Sequence, residues 1–214
     1  MTTFRPSDKL RKFIHPVLKG MGFERYKPWW RFQNDDDWLT QIDLRSPRYS
    51  DDLFYLEFGI GFYSRQLDEC MGWRRTAGEK PENMPNGRHA CHFEARINDL
   101  DESGVWQENN ERVFISSDGT GDHLLQQIAV ALPEILPLVF DRYANFESVI
   151  ACKRDRIGRG ALSKTNGLYA AAACVELGRY DEAREFLKEA IRPGSLPFMK
   201  QIGKNLLARI DAST

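Results

Sequence analysis

The sequence predicts an α+β protein: an antiparallel sheet of about four to five strands packed on a helix, then an all-helical C-terminal half. Three observations carry that expectation. Apolar residues from Leu10 to Met21 recur at helical spacing, the period becomes two from Phe23 to Ile97, and it is helical again beyond Gly119. The change of texture divides the 214 residues into a sheet domain, 1–117, and a helical region, 118–214.

Composition limits what such a chain does. It holds 30 basic and 31 acidic residues, a formal net charge of −1, which argues against a dedicated nucleic-acid binder. With 42% hydrophobic and 29% charged residues it falls in the globular range, not the disordered one. A chain of this length buries roughly 70% of its unfolded surface, enough for a core without metal or disulfide staples.

The first helix is expected over 7–21. Ser7 is its cap, and Leu10, Phe13, Ile14, Val17, Leu18 and Met21 form one apolar stripe. Pro16 predicts a kink or an early break, and Gly20 and Gly22 supply the stop. A strand then runs from Phe23 to Gln33, with Tyr26, Trp30 and Phe32 on one face and Arg25, Lys27, Trp29 and Arg31 on the other. The turn Asn34-Asp35-Asp36-Asp37 leads into a second strand carrying Trp38, Ile42 and Leu44. Pairing Gln33 with Asp37 sets Phe32 against Trp38 and Lys27 against Asp43.

The third strand is the clearest: Phe54, Leu56, Phe58, Ile60 and Phe62 alternate with Tyr55, Glu57, Gly59, Gly61 and Tyr63. Its two glycines leave a bare patch on the outer face, which predicts a bulge or a close approach by another group. Residues 64–88 read as a long loop with a short helix near Arg65–Met71, and a fourth strand spans His89 to Ile97. An extended piece at Arg112–Ser116 closes the first half. Beyond it lie a helical run from His123 to Tyr143, divided by Pro133 and Pro137, and a helix over Phe146–Arg154 capped by Asn145. Helices over Asn166–Leu177, Asp181–Arg192 and Leu196–Ile210 complete the chain.

Two stretches resemble known families. Leu18-Lys19-Gly20-Met21-Gly22-Phe23, the strand around Trp30-Arg31-Phe32, Phe58-Gly59-Ile60-Gly61-Phe62 and the Cys91-His92-Phe93 to Leu100 stretch resemble a bacterial family of small domains, domain of unknown function 4304. That resemblance implies a sheet on a helix and no catalytic residues. Residues 168–192 look like one tetratricopeptide-type hairpin, with Ala170, Ala171, Ala183 and Ala190 at packing positions and Gly178-Arg179-Tyr180 at the turn. A single unit of that kind must stack on neighbouring helices.

Motifs for chemistry are weak. Gly158-Arg159-Gly160-Ala161-Leu162-Ser163-Lys164-Thr165 approaches a phosphate loop, but Ser163 stands where a glycine must let the backbone wrap phosphates. The better reading is a basic loop, Lys153, Arg154, Arg156, Arg159 and Lys164 against Asp155, with Arg156, Arg159 and Lys164 as candidate anion ligands. His89 and His92 are three apart on a strand and point to opposite faces, so no metal is expected there. The acidic tip at Asp35–Asp37 is turn chemistry, and His15 beside the apolar stripe is a structural residue. No cofactor is expected.

The outer sheet face is the most informative feature. Arg25, Trp29, Arg31, Arg45, Tyr55, Tyr63 and Arg96 are expected to cluster there, and Trp, Tyr and Arg are the types enriched at binding hot spots. Either that face meets a partner or the helical half covers it as a second core. The functional expectation is a non-enzymatic interaction protein, adaptor or immunity-like, whose partner is another protein. The alternative is a nucleic-acid or phosphate-ligand module using the aromatic face and the basic loop. Dispersed cysteines, Cys70, Cys91, Cys152 and Cys174, and a start without an apolar leader point to a reduced, cytoplasmic protein. The apolar run Ile128–Phe140, interrupted by prolines, is too short to cross a bilayer.

Overall fold

The structure, a computed structural model, describes residues 5–26, 29–46, 48–50, 52–72, 91–97, 113–156 and 164–214. Pro6 opens the first helix, α1 (Pro6–Phe13), at a position where its missing N–H costs nothing. Ser7 therefore lies inside the first turn, and Arg5 holds the N-cap position without a side-chain bond. The expected break falls at Ile14 (φ −97°, ψ −44°), and α2 (His15–Gly20) restarts with Pro16 in its first turn. The Ile14 N–H still donates to the Leu10 carbonyl and the Leu18 N–H to Ile14, so the stripe stays on one side.

The strand expected over 23–33 is two strands. β1 (Glu24–Tyr26) and β2 (Trp29–Gln33) run antiparallel, with Glu24 opposite Arg31, Arg25 opposite Trp30 and Tyr26 opposite Trp29. Pro28 has no N–H for a ladder, which is the sequence reason for the interruption. Residues directly opposite share a face, so Arg25 lies on the face of Trp30, not with Trp29 and Arg31 as expected. The Lys27–Asp43 pairing lies outside the described residues.

β3 (Trp38–Arg45) and β4 (Leu53–Ser64) follow, then α3 (Arg65–Met71), β5 (Phe93–Arg96) and β6 (Val113–Ser116). The sheet has six strands in the order β1-β2-β3-β4-β5, with β6 antiparallel to the first four residues of β4. The helical half comprises α4 (Asp122–Tyr143), α5 (Phe146–Arg154), α6 (Lys164–Glu176), α7 (Tyr180–Ala190) and α8 (Pro197–Ser213). The layout is α+β, with the C-terminal half mostly helical.

Contacts cluster into two compact units that interleave along the chain. One comprises Met1–Gln33, Thr40–Ile60 and Ala95–Asp141; the other Asn34–Leu39, Gly61–Glu94 and Arg142–Thr214. The 8-residue β3 and the 12-residue β4 each contribute one end to each unit.

In the first unit the stripe of α1 and α2 (Leu10, Phe13, Ile14, Leu18) is buried with Ile42, Leu56, Phe58 and Ile60. The ring of Phe32 stacks on Phe140 of α4 (centroids 5.7 Å apart) and lies 5.3 Å from Phe23. Helix α4 is continuous, contrary to the expected division at its prolines. Pro133 and Pro137 lie on its exposed side, opposite the buried Leu125, Ile128, Leu132 and Leu136, where solvent satisfies the carbonyls they orphan. Its 22 residues meet the length and composition of a membrane span, with a window mean hydropathy of 1.4.

In the second unit α6 is the central helix. It packs against α3, α5, α7 and α8, and Ala170–Ala173 are fully buried. Four consecutive alanines give small surfaces all round, so several helices approach one axis closely. Helices α6 and α7 follow one another through a turn at Gly178 (φ +71°). Asn145 caps α5 as expected, its side chain accepting the Ser148 N–H at 2.9 Å.

Candidate functional site

The outer face of the sheet is only partly open. Arg31 and Tyr63 are each 4% exposed, Trp29, Arg45 and Tyr55 are half-buried, and Arg25 and Arg96 are exposed. The structure thus brings Trp29, Arg31, Arg45, Tyr55 and Arg96 onto one unit's part of the sheet, turns Arg25 to the opposite face, and assigns Tyr63 to the other unit. Cations on this face have acidic neighbours: Arg45 pairs with Asp43, and Arg96 Nη2 lies 3.9 Å from Glu57 Oε1. The face is therefore closer to charge balance than an alternation of rings and cations suggests.

Both outer glycines receive a neighbour. A Cβ on Gly59 would lie 3.6 Å from the Asp43 Cβ, ordinary contact. One on Gly61 would lie 2.6 Å from the Cys91 Sγ, so the thiol fills the notch that the missing side chain leaves. This is the close approach that the strand's composition predicts.

Around Tyr63 the structure assembles polar side chains that sequence reasoning left apart. Ser64 ends β4 and caps α3, its Oγ accepting the Leu67 N–H at 3.2 Å. That hydroxyl donates to Asp37 Oδ2 at 2.6 Å, the Gln66 N–H donates to Asp37 Oδ1 at 2.6 Å, and the Arg65 N–H to the Asp37 carbonyl at 3.2 Å. Asp37 and Ser64 together satisfy three first-turn donors that a helix start leaves orphaned. Asp35 does local turn work, accepting the N–H groups of Asp37 and Trp38 at 2.8 and 2.7 Å.

His92, 2% exposed, lies against this cap. Its Nδ1 accepts the Ser64 N–H at 3.0 Å, and its Nε2 lies 3.0 Å from Asp68 Oδ1. A backbone N–H only donates, so the ring proton resides on Nε2 and is given to Asp68. Asp68 Oδ2 also accepts the Tyr63 hydroxyl at 3.0 Å. The Tyr63 ring stacks on His92 (5.1 Å, 22°), and Tyr169 of α6 meets it edge-on at 4.7 Å. The residue types are those of a catalytic dyad, yet both imidazole nitrogens are engaged within the fold, and the Ser64 hydroxyl is committed to Asp37. The arrangement locks β4, α3 and α6 together. No local signal pairs residues 24 or more positions apart, although Ser64 three residues before Leu67 is a capping spacing readable from the chain.

The basic loop is largely neutralised where it is described. Lys153 pairs with Glu189 at 2.9 Å, and Arg154 lies 3.5 Å from Glu182 and 3.3 Å from Asp155. Arg156 is exposed with φ 60°. Lys164 is placed by its backbone as the first residue of α6, and Arg159 and His89 lie outside the described residues. Among the described residues no group of three or more His, Cys, Asp or Glu side chains converges on a metal position. All four cysteines are buried; burial pushes Cys70 and Cys174 up to about 12 and Cys152 to about 11, which keeps these thiols protonated and unreactive.

On the opposite side of the sheet, His15 packs 5.1 Å from the Trp30 ring, and the Arg25 guanidinium lies 5.9 Å from that ring. Burial, then Arg25 and Arg11, lower the imidazole from 6.5 to about 4. The unfolded chain binds a proton near 6.5 that the folded chain refuses until about 4, so the stabilisation is complete above 6.5 and is lost as pH falls toward 4. Unfolding free energies from urea titrations at pH 7.5 and pH 4.5 should differ by about 1 kcal/mol from this group, solvent screening having reduced the full shift. His15→Gln should remove that part of the pH dependence.

No protein-family model, curated protein or solved structure matches the chain.

Proposed function

We propose that this chain is a non-enzymatic protein-interaction module, an adaptor or immunity-like protein, working in a reduced, cytoplasmic setting. One observation carries the reading: the polar side chains of catalytic type gathered at His92 spend their hydrogen bonds on one another and on helix α3. His92 has its two nitrogens on Ser64 and Asp68, and Tyr63 donates to Asp68. Such a group stiffens the fold and leaves recognition to the surface. There, half-buried Trp29 and Tyr55 with exposed Arg96 offer the residue types that anchor protein interfaces. The likeness to domain of unknown function 4304 and to a tetratricopeptide hairpin belongs to the same proposal, as does a peptide surface on α6 and α7. Protonated, buried thiols suit the setting.

The test is capture on the immobilised chain from its native lysate, in parallel with Trp29→Ala/Arg96→Glu. A protein recovered near one-to-one by the native chain and lost with the variant supports the reading. Recovery of nothing stoichiometric overturns it, and so does recovery of nucleic acid alone, which would favour the phosphate-ligand alternative.

A further inference from the structure

Positive charge is concentrated away from the outer sheet face. Residues 5–26 hold six basic side chains (Arg5, Lys9, Arg11, Lys12, Lys19, Arg25) and two acidic ones (Asp8, Glu24), while the whole chain is at −1. The remaining residues therefore carry five excess acidic groups. Lys9 is spent on Asp122. Arg11, Lys12, Lys19 and Arg25 are all exposed, and among the described residues no carboxylate is paired with Lys12, Lys19 or Arg25. The contact of Arg11 with Asp8 is 3.6 Å between side chains that are each about 60% exposed, a weak one.

The backbone arranges these groups as a ridge. Arg11, His15 and Lys19 are spaced four apart, and the hydrogen bonds that carry the helix through Ile14 keep them on one side. Arg25 reaches the same place from β1. It lies over the ring of Trp30, whose neighbour is His15. A guanidinium held against an aromatic face is already ordered, so less entropy is lost when its fork receives a carboxylate.

We propose that the ridge formed by Arg11, His15, Lys19 and Arg25 docks an acidic segment of a partner protein. This rests on the interaction reading above and names the partner's chemistry. Like charges gathered with only the weak Arg11–Asp8 contact to offset them oppose folding, and an occupant with carboxylates at matching spacing relieves that opposition. A short acidic segment fits better than a nucleic acid. The cationic track is one helical ridge long, and the acidic remainder of the chain repels a long polyanion that overruns it. The lowered affinity of His15 for protons agrees with two guanidiniums facing it from Arg25 and Arg11.

The experiment uses the full chain, a fluorescein-labelled octaglutamate peptide and a matched thymidine octanucleotide, at about 50 mM salt to limit screening. Two charge reversals of equal size are compared: Arg11→Glu/Arg25→Glu on the ridge, and Lys188→Glu/Lys200→Glu on exposed positions of α7 and α8. Arg11→Gln/Arg25→Gln serves if the ridge reversal fails to melt cooperatively. The ridge variant should bind octaglutamate at least about tenfold more weakly than the native chain, and the α7/α8 variant within about twofold of it. The His15 ring resonance should titrate at higher pH with peptide bound, because the anion offsets the guanidiniums. Absence of octaglutamate binding, equal loss in both variants, or tighter binding of the octanucleotide overturns the proposal. A native dimer that the ridge variant dissolves does so too, since the ridge would then meet a second copy. A lysate partner retained by the ridge variant removes the ridge while leaving the interaction reading in place; a lysate without any partner removes that reading itself.

Discussion

Replacing Gly121 with alanine is expected to destabilise the protein by about 3–5 kcal/mol, roughly a 10 °C fall in melting temperature. Gly121 sits in the turn from β6 to α4 at φ +82°, and a Cβ there would lie 1.9 Å from the Phe114 carbonyl oxygen. Two costs add: a left-handed backbone that a side chain resists, and a clash with main chain, which cannot rotate away as a side chain would. The turn has little room to give. The Leu125 N–H donates to the Gly121 carbonyl at 2.9 Å and the Ser116 N–H to the Thr120 carbonyl at 3.2 Å. Within the same turn, Ser116 and Thr120 hold the Asp118 carboxyl down to about 2. Gly119 is the internal control: it has φ +101° but nothing within 4 Å of its Cβ position, so Gly119→Ala should cost only about 1 kcal/mol of backbone strain. Thermal melts of both variants decide the matter, and equal shifts would show that the carbonyl contact is unimportant.

The second large effect is expected at His92. His92→Phe keeps an aromatic ring between Tyr63 and Tyr169 but removes both nitrogens, leaving the Ser64 N–H without its acceptor and Asp68 with one donor fewer. A loss of about 3 kcal/mol is expected, because the site is closed to water and the orphaned donor finds no replacement. His92→Asn retains an oxygen close to the position of Nδ1 and should recover part of that loss. Urea unfolding gives the order, and hydrogen exchange at the Ser64 amide gives the cause: protection should fall in the phenylalanine variant and persist in the asparagine one. A phenylalanine variant as stable as the native chain would show that the polar group is not a lock, and would reopen a chemical role for it.

Much of the fold was legible because it rests on local rules. The short helix at Arg65–Met71 and the cap of Asn145 on α5 follow from spacing and side-chain chemistry within a few residues. So do the break before His15 and the turn at Gly178. Alternation continued through Pro28 puts Arg25 with Trp29, whereas the antiparallel return of β2 sets it beside Trp30. Pro133 and Pro137 predict a division of α4, yet a helix whose opposite face is well buried keeps its course when water donates to the freed carbonyls. The candidate surface suffered most, since exposure is a property of what packs above a residue: nothing near Arg31 or Tyr63 in the chain announces that each is buried.

By itself the chain determined its alternation of textures, the ends of its last three helices to within a few residues, and the notch at Gly61, since periodicity, caps and missing side chains act over short distances. Only tertiary packing decided that Cys91 fills that notch and that Asp37, Ser64, Asp68 and His92 meet. Tertiary packing also left Arg11 and Lys19 on the side of Arg25, while Arg45 and Arg96 of the sheet found carboxylates. The physical reason is range. A hydrogen bond or an ion pair acts over a few ångströms in space, and only the folded chain determines which distant residues come within that reach.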